Sequence, residues 1–367
     1  MQYRKFGQTG CEVSCLGFGS MRLPMMNKDE VDVARAVRMI RHAIDSGVNY
    51  LDTAYFYHGG ESEKIVGEAL KDGYREKTYI ATKLPMGEVK TAEDFDRLLN
   101  TQLERLGTDH VDFYLFHALN APHWETVKRL NLIEKMRQAK ADGRIRHMGF
   151  SFHDNPEIFT RIVDEYDGCE FCQIQLNYLD TDHQAGMDGL KYAAEKGLGV
   201  VVMEPIRGGR LAEPSEEIRA LLPAGRTPVE NALAYLWDME QVSLLLSGMS
   251  NFEQVTQNLE SANRFGVGCL SPEEHEQFVA AKKAFDRSTV IPCTVCNYCQ
   301  PCPKNVPIPQ VFAAYNKVAE GGLHAVRAEM PDMEEVLSRC VKCGICEAKC
   351  PQQIQIVQHI KGILERF

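Results

Sequence analysis

Roughly the first 250 residues of the chain alternate between short apolar runs and longer stretches with helical spacing. The apolar runs at 200–203 and 244–246 are unbroken, which is typical of parallel strands covered on both faces. Eight strands are predicted, at 15–21, 48–53, 78–84, 111–118, 145–151, 171–177, 199–204 and 242–249. Amphipathic helices are predicted between them, for example at 31–45, 62–71, 92–106 and 125–141. This alternation predicts an α/β protein with a parallel sheet.

Two parallel folds fit such an alternation, and the first strand discriminates between them. Eight strands within about 250–280 residues match the size of a (β/α)8 TIM barrel. A doubly wound open sheet would be favoured by the nucleotide fingerprint G-x-G-x-x-G after the first strand. Gly17 and Gly19 begin that pattern, but Arg22 stands where the third glycine belongs. The barrel is therefore predicted, with a hairpin of residues 3–6 and 11–14 closing its bottom.

The charge and hydropathy of the chain exclude several classes of partner. The 51 acidic and 41 strongly basic residues give a formal net charge of −10, whereas nucleic-acid binding needs a basic surface. No stretch approaches ~20 consecutive apolar residues, and no apolar region follows the first five residues. We therefore expect a cytoplasmic protein without nucleic-acid or membrane partners.

Four side chains with complementary chemistry lie at or just after the ends of three consecutive predicted strands. They are Asp52, Tyr57, Lys83 and His117, and a TIM barrel gathers its chemistry at these strand ends. A free tyrosine has a pKa of about 10, which a nearby ammonium lowers by stabilising the phenolate. We expect Asp52 to hold Lys83, Tyr57 to donate a proton to a carbonyl, and His117 to orient it. Taken singly, each residue is also compatible with a capping, rim, solvated or packing role.

The residues around these four resemble one known family. The segment 48–63 reads V-N-Y-L-D-T-A-Y-F-Y-H-G-G-E-S-E, and it is similar to the aldo-keto reductase signature around the catalytic Asp and Tyr. The segments 81–84 and 109–117 resemble the lysine and histidine strands of that family. The resemblance implies a (β/α)8 barrel and hydride transfer between a nicotinamide cofactor and a small carbonyl or alcohol substrate, with Tyr57 as general acid.

The same resemblance implies residues that bind the cofactor. Ser151 and Gln175 match the pair that hydrogen-bonds the nicotinamide amide. The residues matched to the phosphate- and adenine-binding segment are Ser247, Gly248, Met249, Asn251, Gln254 and Asn258. That segment opens a predicted helix, whose N-terminus suits an anion.

The chain departs from the family pattern at several of these positions. Phe152 replaces an asparagine, and Met203 replaces an aromatic residue that commonly stacks on the nicotinamide. Gly248 and Gln254 stand where NADP-preferring members often have Lys and Arg. The cofactor is therefore expected to be NADP or NAD, with NADP favoured by the family resemblance alone. The arginines considered as substitutes for the missing charges are Arg207, Arg210 and Arg264.

Cysteine is concentrated in the last fifth of the chain, where eight of the thirteen cysteines lie. The second of two blocks, 340–351, fits C-x₂-C-x₂-C-x₃-C-P, and the first, 293–303, is one residue shorter before its fourth cysteine. Zinc and disulfides fit this spacing less well, and no secretory signal supports disulfides. We predict a barrel domain over residues 1–285 and an iron–sulfur domain over residues 286–367.

The two blocks resemble those of two-cluster ferredoxins, in which each [4Fe–4S] cluster takes three cysteines from one block and one from the other. That resemblance implies one set of Cys293, Cys296, Cys299 and Cys350, and a second set of Cys302, Cys340, Cys343 and Cys346. Helical patterns at 310–320 and 333–339 favour a small, mainly α-helical ferredoxin-like domain.

The two parts together predict an NAD(P)H-dependent oxidoreductase that reduces an aldehyde or ketone and carries two [4Fe–4S] clusters. Nicotinamide transfers two electrons at once and a cluster transfers one, yet no clear flavin motif is present to connect them. The clusters therefore either exchange electrons with a redox partner protein or stabilise the C-terminal fold. The alternative function is an electron-transfer or interaction subunit whose barrel does not turn over carbonyls. The intact set of Asp52, Tyr57, Lys83 and His117 argues against that alternative.

Overall fold

A closed barrel of parallel strands forms the larger part of the protein. The computed structural model describes residues 1–27 and 30–367, and of the side chains at 288 and 319–321 nothing is stated. The described residues form an antiparallel hairpin of β1 (Tyr3–Lys5) and β2 (Glu12–Ser14). The barrel strands are β3 (Leu16–Gly19), β4 (Tyr50–Asp52), β5 (Tyr79–Leu84), β6 (Val111–Leu119), β7 (Ile145–Phe152), β8 (Phe171–Gln175), β9 (Gly199–Met203) and β10 (Leu244–Gly248). Each strand pairs with the next along the chain, and β10 closes on β3.

Helices follow the barrel strands and continue into the C-terminal region. Those up to residue 288 are α1 (Val33–Asp45), α2 (Glu61–Ala69), α3 (Glu93–Leu106), α4 (Ala121–Arg129), α5 (Leu132–Ala141), α6 (Pro156–Glu165), α7 (Gly186–Glu195), α8 (Glu216–Leu221), α9 (Pro228–Trp237), α10 (Phe252–Arg264) and α11 (Pro272–Ser288). Those beyond it are α12 (Ile308–Asn316), α13 (Val318–Glu329), α14 (Met333–Ser338), α15 (Ile345–Ala348) and α16 (Ile356–Leu364). The predicted (β/α)8 barrel, followed by a mainly helical region, is confirmed. Within the described part of the chain, no helix is both long and apolar enough to cross a membrane.

The helix predicted over 125–141 in the barrel is wrong. The single helix expected over 125–141 is two helices, α4 and α5, separated by Leu130 and Asn131. Asn131 has a φ of 52°, in the left-handed region that asparagine tolerates better than most residues. The apolar spacing continues across this turn, so hydrophobic periodicity alone could not reveal it.

The hairpin closes the bottom of the barrel, as predicted. Phe6 follows β1 and is fully buried, and its ring packs against the rings of Tyr50, Phe113 and Phe171 at centroid distances of 6.0, 4.9 and 5.3 Å. Gly199 must lack a side chain, because a Cβ there would lie 2.2 Å from a carbon of the Phe6 ring. The filled bottom leaves the opposite end of the barrel, where the strands end, for chemistry.

The chain forms two compact units. The first comprises 1–205 and 229–271, and the second comprises 206–228 and 272–367. The segment 206–228 packs with α11: Arg226 pairs with Glu274 at 2.9 Å, and the Arg207 guanidinium lies 4.7 Å from the Phe285 ring centroid. The predicted boundary between residues 285 and 286 stays a prediction.

The second unit has its own hydrophobic core. Buried side chains from α12, α14 and α16, among them Phe312, Leu337 and Ile360, pack together in it. Partly buried cysteines lie against this core: Cys293, Cys299, Cys302, Cys340, Cys346 and Cys350. The predicted helices at 310–320 and 333–339 correspond to α12 with the start of α13, and to α14. A core built by helices therefore carries the cysteine blocks.

Candidate active site and cluster-binding cavities

A buried ion pair joins the ends of two neighbouring barrel strands. Asp52 ends β4, and its carboxylate Oδ2 lies 2.6 Å from Nζ of Lys83 in β5. Nζ also donates to the carbonyl of Thr53 at 2.8 Å, so two acceptors fix the ammonium. The exposed fractions of the two side chains are 0% for Lys83 and 4% for Asp52. Burial raises the pKa of Asp52 and lowers the pKa of Lys83, and in both it outweighs their mutual attraction.

Tyr57 and His117 lie beside this pair. Lys83 Nζ is 5.2 Å from the centroid of the Tyr57 ring, and the rings of Tyr57 and His117 have centroids 6.2 Å apart with planes at 80°. Both aromatic side chains are partly buried. Burial, reinforced by the charge of Lys83, holds the pKa of His117 well below its usual 6.5. The imidazole is therefore neutral near pH 7. The structure brings all four predicted catalytic residues together.

A buried carboxylate that the sequence interpretation left without a role supports this group. Glu63 of α2 accepts hydrogen bonds at 2.7 Å from both Thr82 and Gln102, and Arg105 pairs with its other oxygen at 3.1 Å. Gln102 also donates to the backbone carbonyl of Lys83 at 3.0 Å. The network therefore fixes the strand that carries Lys83. A glutamate on the apolar face of α2 was the available signal.

The two residues predicted to bind the nicotinamide amide are buried, and each has a fixed partner. Ser151 Oγ accepts from the backbone N–H of Ala118 at 2.8 Å. Gln175 Nε2 donates to Asp180 at 2.9 Å, and Asn177 donates to the same carboxylate oxygen at 2.9 Å. Asp180 thus orients Gln175, a role that sequence reasoning missed. Because Asp180 lies in the loop after β8, only its position near Gln175 in sequence hinted at it.

The segment predicted to hold the cofactor's phosphate and adenine forms the N-terminal end of α10. Asn251 caps this helix by accepting from the backbone N–H of Gln254 at 2.9 Å. Gln254 in turn accepts from the backbone N–H of Ser250 at 2.7 Å. Asn258 donates to Ser247 Oγ at 2.9 Å, which joins the helix to the end of β10. These side chains thereby set the backbone shape of the helix entrance.

Arg22 is a further basic residue at this entrance. A Cβ on Gly248 would lie 3.1–3.3 Å from the aliphatic carbons of Arg22, and Ser250 Oγ donates to the Arg22 carbonyl at 2.9 Å. The Nη2 atom of Arg22 is buried and has no hydrogen-bond partner among the described residues. Met249, beside them, is buried. The Arg22 side chain therefore packs against Gly248, the position where NADP-preferring family members often have a lysine.

The three arginines proposed from the sequence have other partners. Arg264 pairs with Glu230 at 3.0 Å on the surface of α10. Arg207 and Arg210 belong to the second compact unit, and Arg210 Nη1 donates to the carbonyl of Cys293 at 2.8 Å. In the sequence, Arg22 is notable only because it interrupts a glycine motif, and nothing there indicates that it lies beside Gly248.

Two cavities in the second unit are bordered by the predicted cysteine sets. The first is lined by Cys293, Cys296, Cys299 and Cys350. The second is lined by Cys302, Cys340, Cys343 and Cys346, with Cys299 also at its border. Each set thus combines three cysteines of one block with the fourth of the other, as the ferredoxin resemblance implied.

The donor chemistry of these cavities fits an iron–sulfur cluster. Thiolate sulfur is the ligand that such clusters require, and the apolar side chains of Ile308 and Phe312 line the first cavity beside its cysteines. Burial raises the pKa of the Cys299 thiol to about 12, so a bound cluster must supply the positive charge that holds thiolates there. Among described residues, no three His, Cys, Asp or Glu side chains converge on one ion. The sulfurs border a shared volume instead.

Comparison with known proteins identifies the barrel. A model of the "Aldo/keto reductase family" matches residues 15–282, which is more than half of the chain. This chain belongs to the aldo/keto reductase family. A second model, "4Fe-4S dicluster domain", matches residues 292–355 and thus covers both cysteine blocks.

Several relatives of this aldo/keto reductase span most of their own length in the match. L-galactose dehydrogenase of Arabidopsis thaliana is 28% identical over 288 residues, covering 71% of this chain and 87% of the plant protein. The uncharacterized oxidoreductase YqkF of Bacillus subtilis is 25% identical over 297 residues, which cover 72% of this chain and 92% of YqkF. The holo form of aldo-keto reductase AKR11C1 from Bacillus halodurans superposes with a TM-score of 0.66 at 26% identity, and the match covers 77% of this chain and 96% of AKR11C1. The thermostable aldo-keto reductase Tm1743 superposes with a TM-score of 0.65 at 26% identity, and the match covers 77% of this chain and 100% of Tm1743.

Three large aromatic residues near the strand ends of the aldo/keto reductase barrel differ in their exposure. Trp124 and Phe152 are fully buried: Trp124 donates to Glu165 at 2.7 Å, and the Phe152 ring packs on Phe159. Both are therefore packing residues. Phe56, in contrast, is exposed directly before Tyr57.

Proposed function

We propose that this aldo/keto reductase reduces an aldehyde or ketone with NADPH at the mouth of its barrel. We further propose that its C-terminal unit carries two [4Fe–4S] clusters. One observation carries the first proposal: the Lys83 ammonium lies 2.6 Å from the Asp52 carboxylate and 5.2 Å from the Tyr57 ring centroid, and the His117 ring lies 6.2 Å from the Tyr57 ring. This arrangement suits proton donation to a carbonyl oxygen better than any other chemistry of these four groups.

Each of the four residues has a separate task in the proposed reaction. Tyr57 donates its phenolic proton to the carbonyl oxygen as that oxygen gains charge. Lys83, held by Asp52, stabilises the phenolate left on Tyr57 because a positive charge beside a developing anion lowers its energy. His117, being neutral, donates an N–H hydrogen bond to the same oxygen and so fixes the carbonyl's orientation without competing for the proton.

A reduced nicotinamide, when bound at the barrel mouth, would supply the hydride for the carbonyl carbon. Ser151 and Gln175 would hold its amide, and the entrance of α10 would hold its phosphates, since a helix N-terminus favours anions. Arg22 supports NADP as the preferred cofactor, because its buried Nη2 can donate to a 2′-phosphate beside Gly248.

The eight cysteines would hold the clusters in the two sets that line the two cavities. Such clusters supply single-electron transfer. We propose electron transfer as their role because the second set includes a solvent-exposed ligand, Cys343, which a purely structural cluster does not need.

Replacing Tyr57 with Phe tests the proposal, with Tyr74→Phe as a matched control. Tyr74 lies on the surface, where its hydroxyl donates to Asp45 at 3.0 Å. Turnover of an aromatic aldehyde such as nitrobenzaldehyde should fall by about 10²–10⁴-fold in Tyr57→Phe and remain unchanged in Tyr74→Phe. NADPH should bind both variants, as measured by its fluorescence. Undiminished aldehyde turnover by Tyr57→Phe would refute Tyr57 as the acid.

A further inference from the structure

The two cysteine-lined cavities differ in how their ligands meet solvent. Of the thirteen cysteines, Cys343 is the one that is exposed, and it lines the second cavity. Val341 and Ile345, which flank Cys343 and line the same cavity, are 57% and 43% exposed. Exposed apolar side chains around a functional group are typical of a surface that another molecule covers.

Two lysines lie beside this apolar patch. Lys342 lies between Val341 and Cys343, and Lys304 lines the cavity; both lysines are exposed. Neither forms an ion pair with a residue in the described ranges, whereas the nearby Arg339 is paired with Glu335 at 2.9 Å. The whole chain has a formal net charge of −10, so two unpaired lysines here oppose the general charge of the protein. We name Lys304, Val341, Lys342, Cys343 and Ile345 the Cys343 face.

The first cavity offers no comparable surface. The apolar residues lining it include Ile308, Phe312, Ile354 and Ile356, all of which are buried in the core of the second unit. The second cavity also has buried apolar lining, including Ile308 and Ile360, but its border adds the exposed side chains of Val341, Cys343 and Ile345. Of the two cavities, the second therefore presents an exposed cysteine within an exposed apolar patch to an approaching molecule.

We infer that the Cys343 face docks an acidic protein that carries a one-electron redox group. The inference rests on the proposed clusters and adds to them the place and the charge of the partner. An apolar centre with a charged rim is the usual layout of a transient interface, and rim charges mainly govern the rate of encounter. In the reaction, one electron leaves the reduced second cluster and reduces the carrier by one electron, and no bond is made or broken.

The experiment uses the full-length protein with its clusters, reduced by dithionite under argon and then freed of excess reductant. It is mixed in a stopped-flow spectrometer with an oxidised flavodoxin of net negative charge, and flavin absorbance reports the electron transfer. The test variant is Lys304→Glu/Lys342→Glu. The control is Lys283→Glu/Lys317→Glu, which makes the same change in charge elsewhere in the second unit, on α11 and between α12 and α13.

We expect the second-order rate constant at low salt to fall by about tenfold or more in the test variant and by less than about twofold in the control. The wild-type rate should fall as salt rises, because screening weakens charge attraction. With a cytochrome c of net positive charge as acceptor, the test variant should not be slower than wild type. Equal rates in test and control variants, or a wild-type rate independent of salt, would overturn the docking face.

Failure of the docking face can be told apart from failure of the proposed function. Iron and sulfide are counted first, and a full-length protein that binds neither overturns both the clusters and the face. Full clusters with equal rates in both variants overturn the face alone. Aldehyde turnover is assayed separately, so its absence alongside a lysine-dependent rate would overturn the barrel chemistry and leave the face supported.

Discussion

The buried pair of Asp52 and Lys83 gives a prediction about stability that its catalytic role alone would not. Lys83→Met removes the charge but keeps an unbranched apolar side chain in place. The remaining Asp52 carboxylate would then be buried without its cation. At 2.6 Å and an effective dielectric constant of about 20, the lost attraction amounts to about 6 kcal/mol, part of which protonation of Asp52 recovers. Breaking such a buried pair costs about 3–5 kcal/mol.

The double variant Asp52→Asn/Lys83→Met should be less destabilised than Lys83→Met alone. Burial raises the pKa of Asp52 and lowers that of Lys83, so each charged form is already penalised in the folded state. Removing both charges therefore removes the cost of burying each charge as well as the attraction between them. The control is Lys140→Met, because Lys140 and Glu170 are also 2.6 Å apart but are 40% and 22% exposed. That surface pair should contribute at most about 1 kcal/mol.

Tryptophan fluorescence is the assay for these variants. The chain has two tryptophans, Trp124 and Trp237, and both are fully buried in the first compact unit. Urea unfolding followed by their emission therefore reports the barrel and not the cluster unit. A Lys83→Met variant no less stable than Lys140→Met, or a double variant whose loss equals the sum of the single losses, would refute the reasoning.

Three more predictions follow from the site. Arg22→Gln should raise the Kd for NADPH about tenfold and that for NADH less than about threefold, because one charged hydrogen bond to a 2′-phosphate is lost; equal changes for both cofactors would contradict this assignment. Cys293→Ala/Cys350→Ala should keep about half of the iron, whereas Cys340→Ala/Cys350→Ala should lose nearly all, and equal iron in both would disprove the pairing. His153 directly follows β7 and is hydrogen-bonded to Gln184 at 3.1 Å, and burial lowers its pKa from 6.5 to about 4. As the pH falls, protons therefore bind this histidine in the unfolded chain before they bind it in the folded protein. The barrel should lose about 2 kcal/mol between pH 7 and 5 from this group, and His153→Gln should show a correspondingly smaller loss.

The fold could be predicted because its signals are local. Unbroken apolar runs such as 200–203 identify strands covered on both faces, and their alternation with helices leaves few topologies. The break at Asn131 could not be predicted, because the apolar pattern continues through a turn that a single left-handed residue makes. The packing of 206–228 with α11 depends on pairs distant in sequence, such as Arg226 and Glu274, which no local pattern contains.

The candidate site was predictable to the extent that its residues end strands. Asp52, Lys83 and His117 lie near the ends of strands and Tyr57 follows one, and the barrel brings those ends together. Glu63 and Asp180 escaped prediction because their roles depend on buried partners. Arg22 escaped because its significance depends on lying beside Gly248, more than two hundred residues away in sequence.

Transfer of deuterium tests the central claim most directly. NADPH labelled at the reacting carbon of the nicotinamide is incubated with nitrobenzaldehyde and the full-length protein, and the alcohol is analysed by mass spectrometry. We predict that the wild type places one deuterium on the former carbonyl carbon and that Tyr57→Phe, with NADPH still bound, forms little of this product. Cofactor oxidation that leaves the alcohol unlabelled would contradict direct hydride transfer at the barrel.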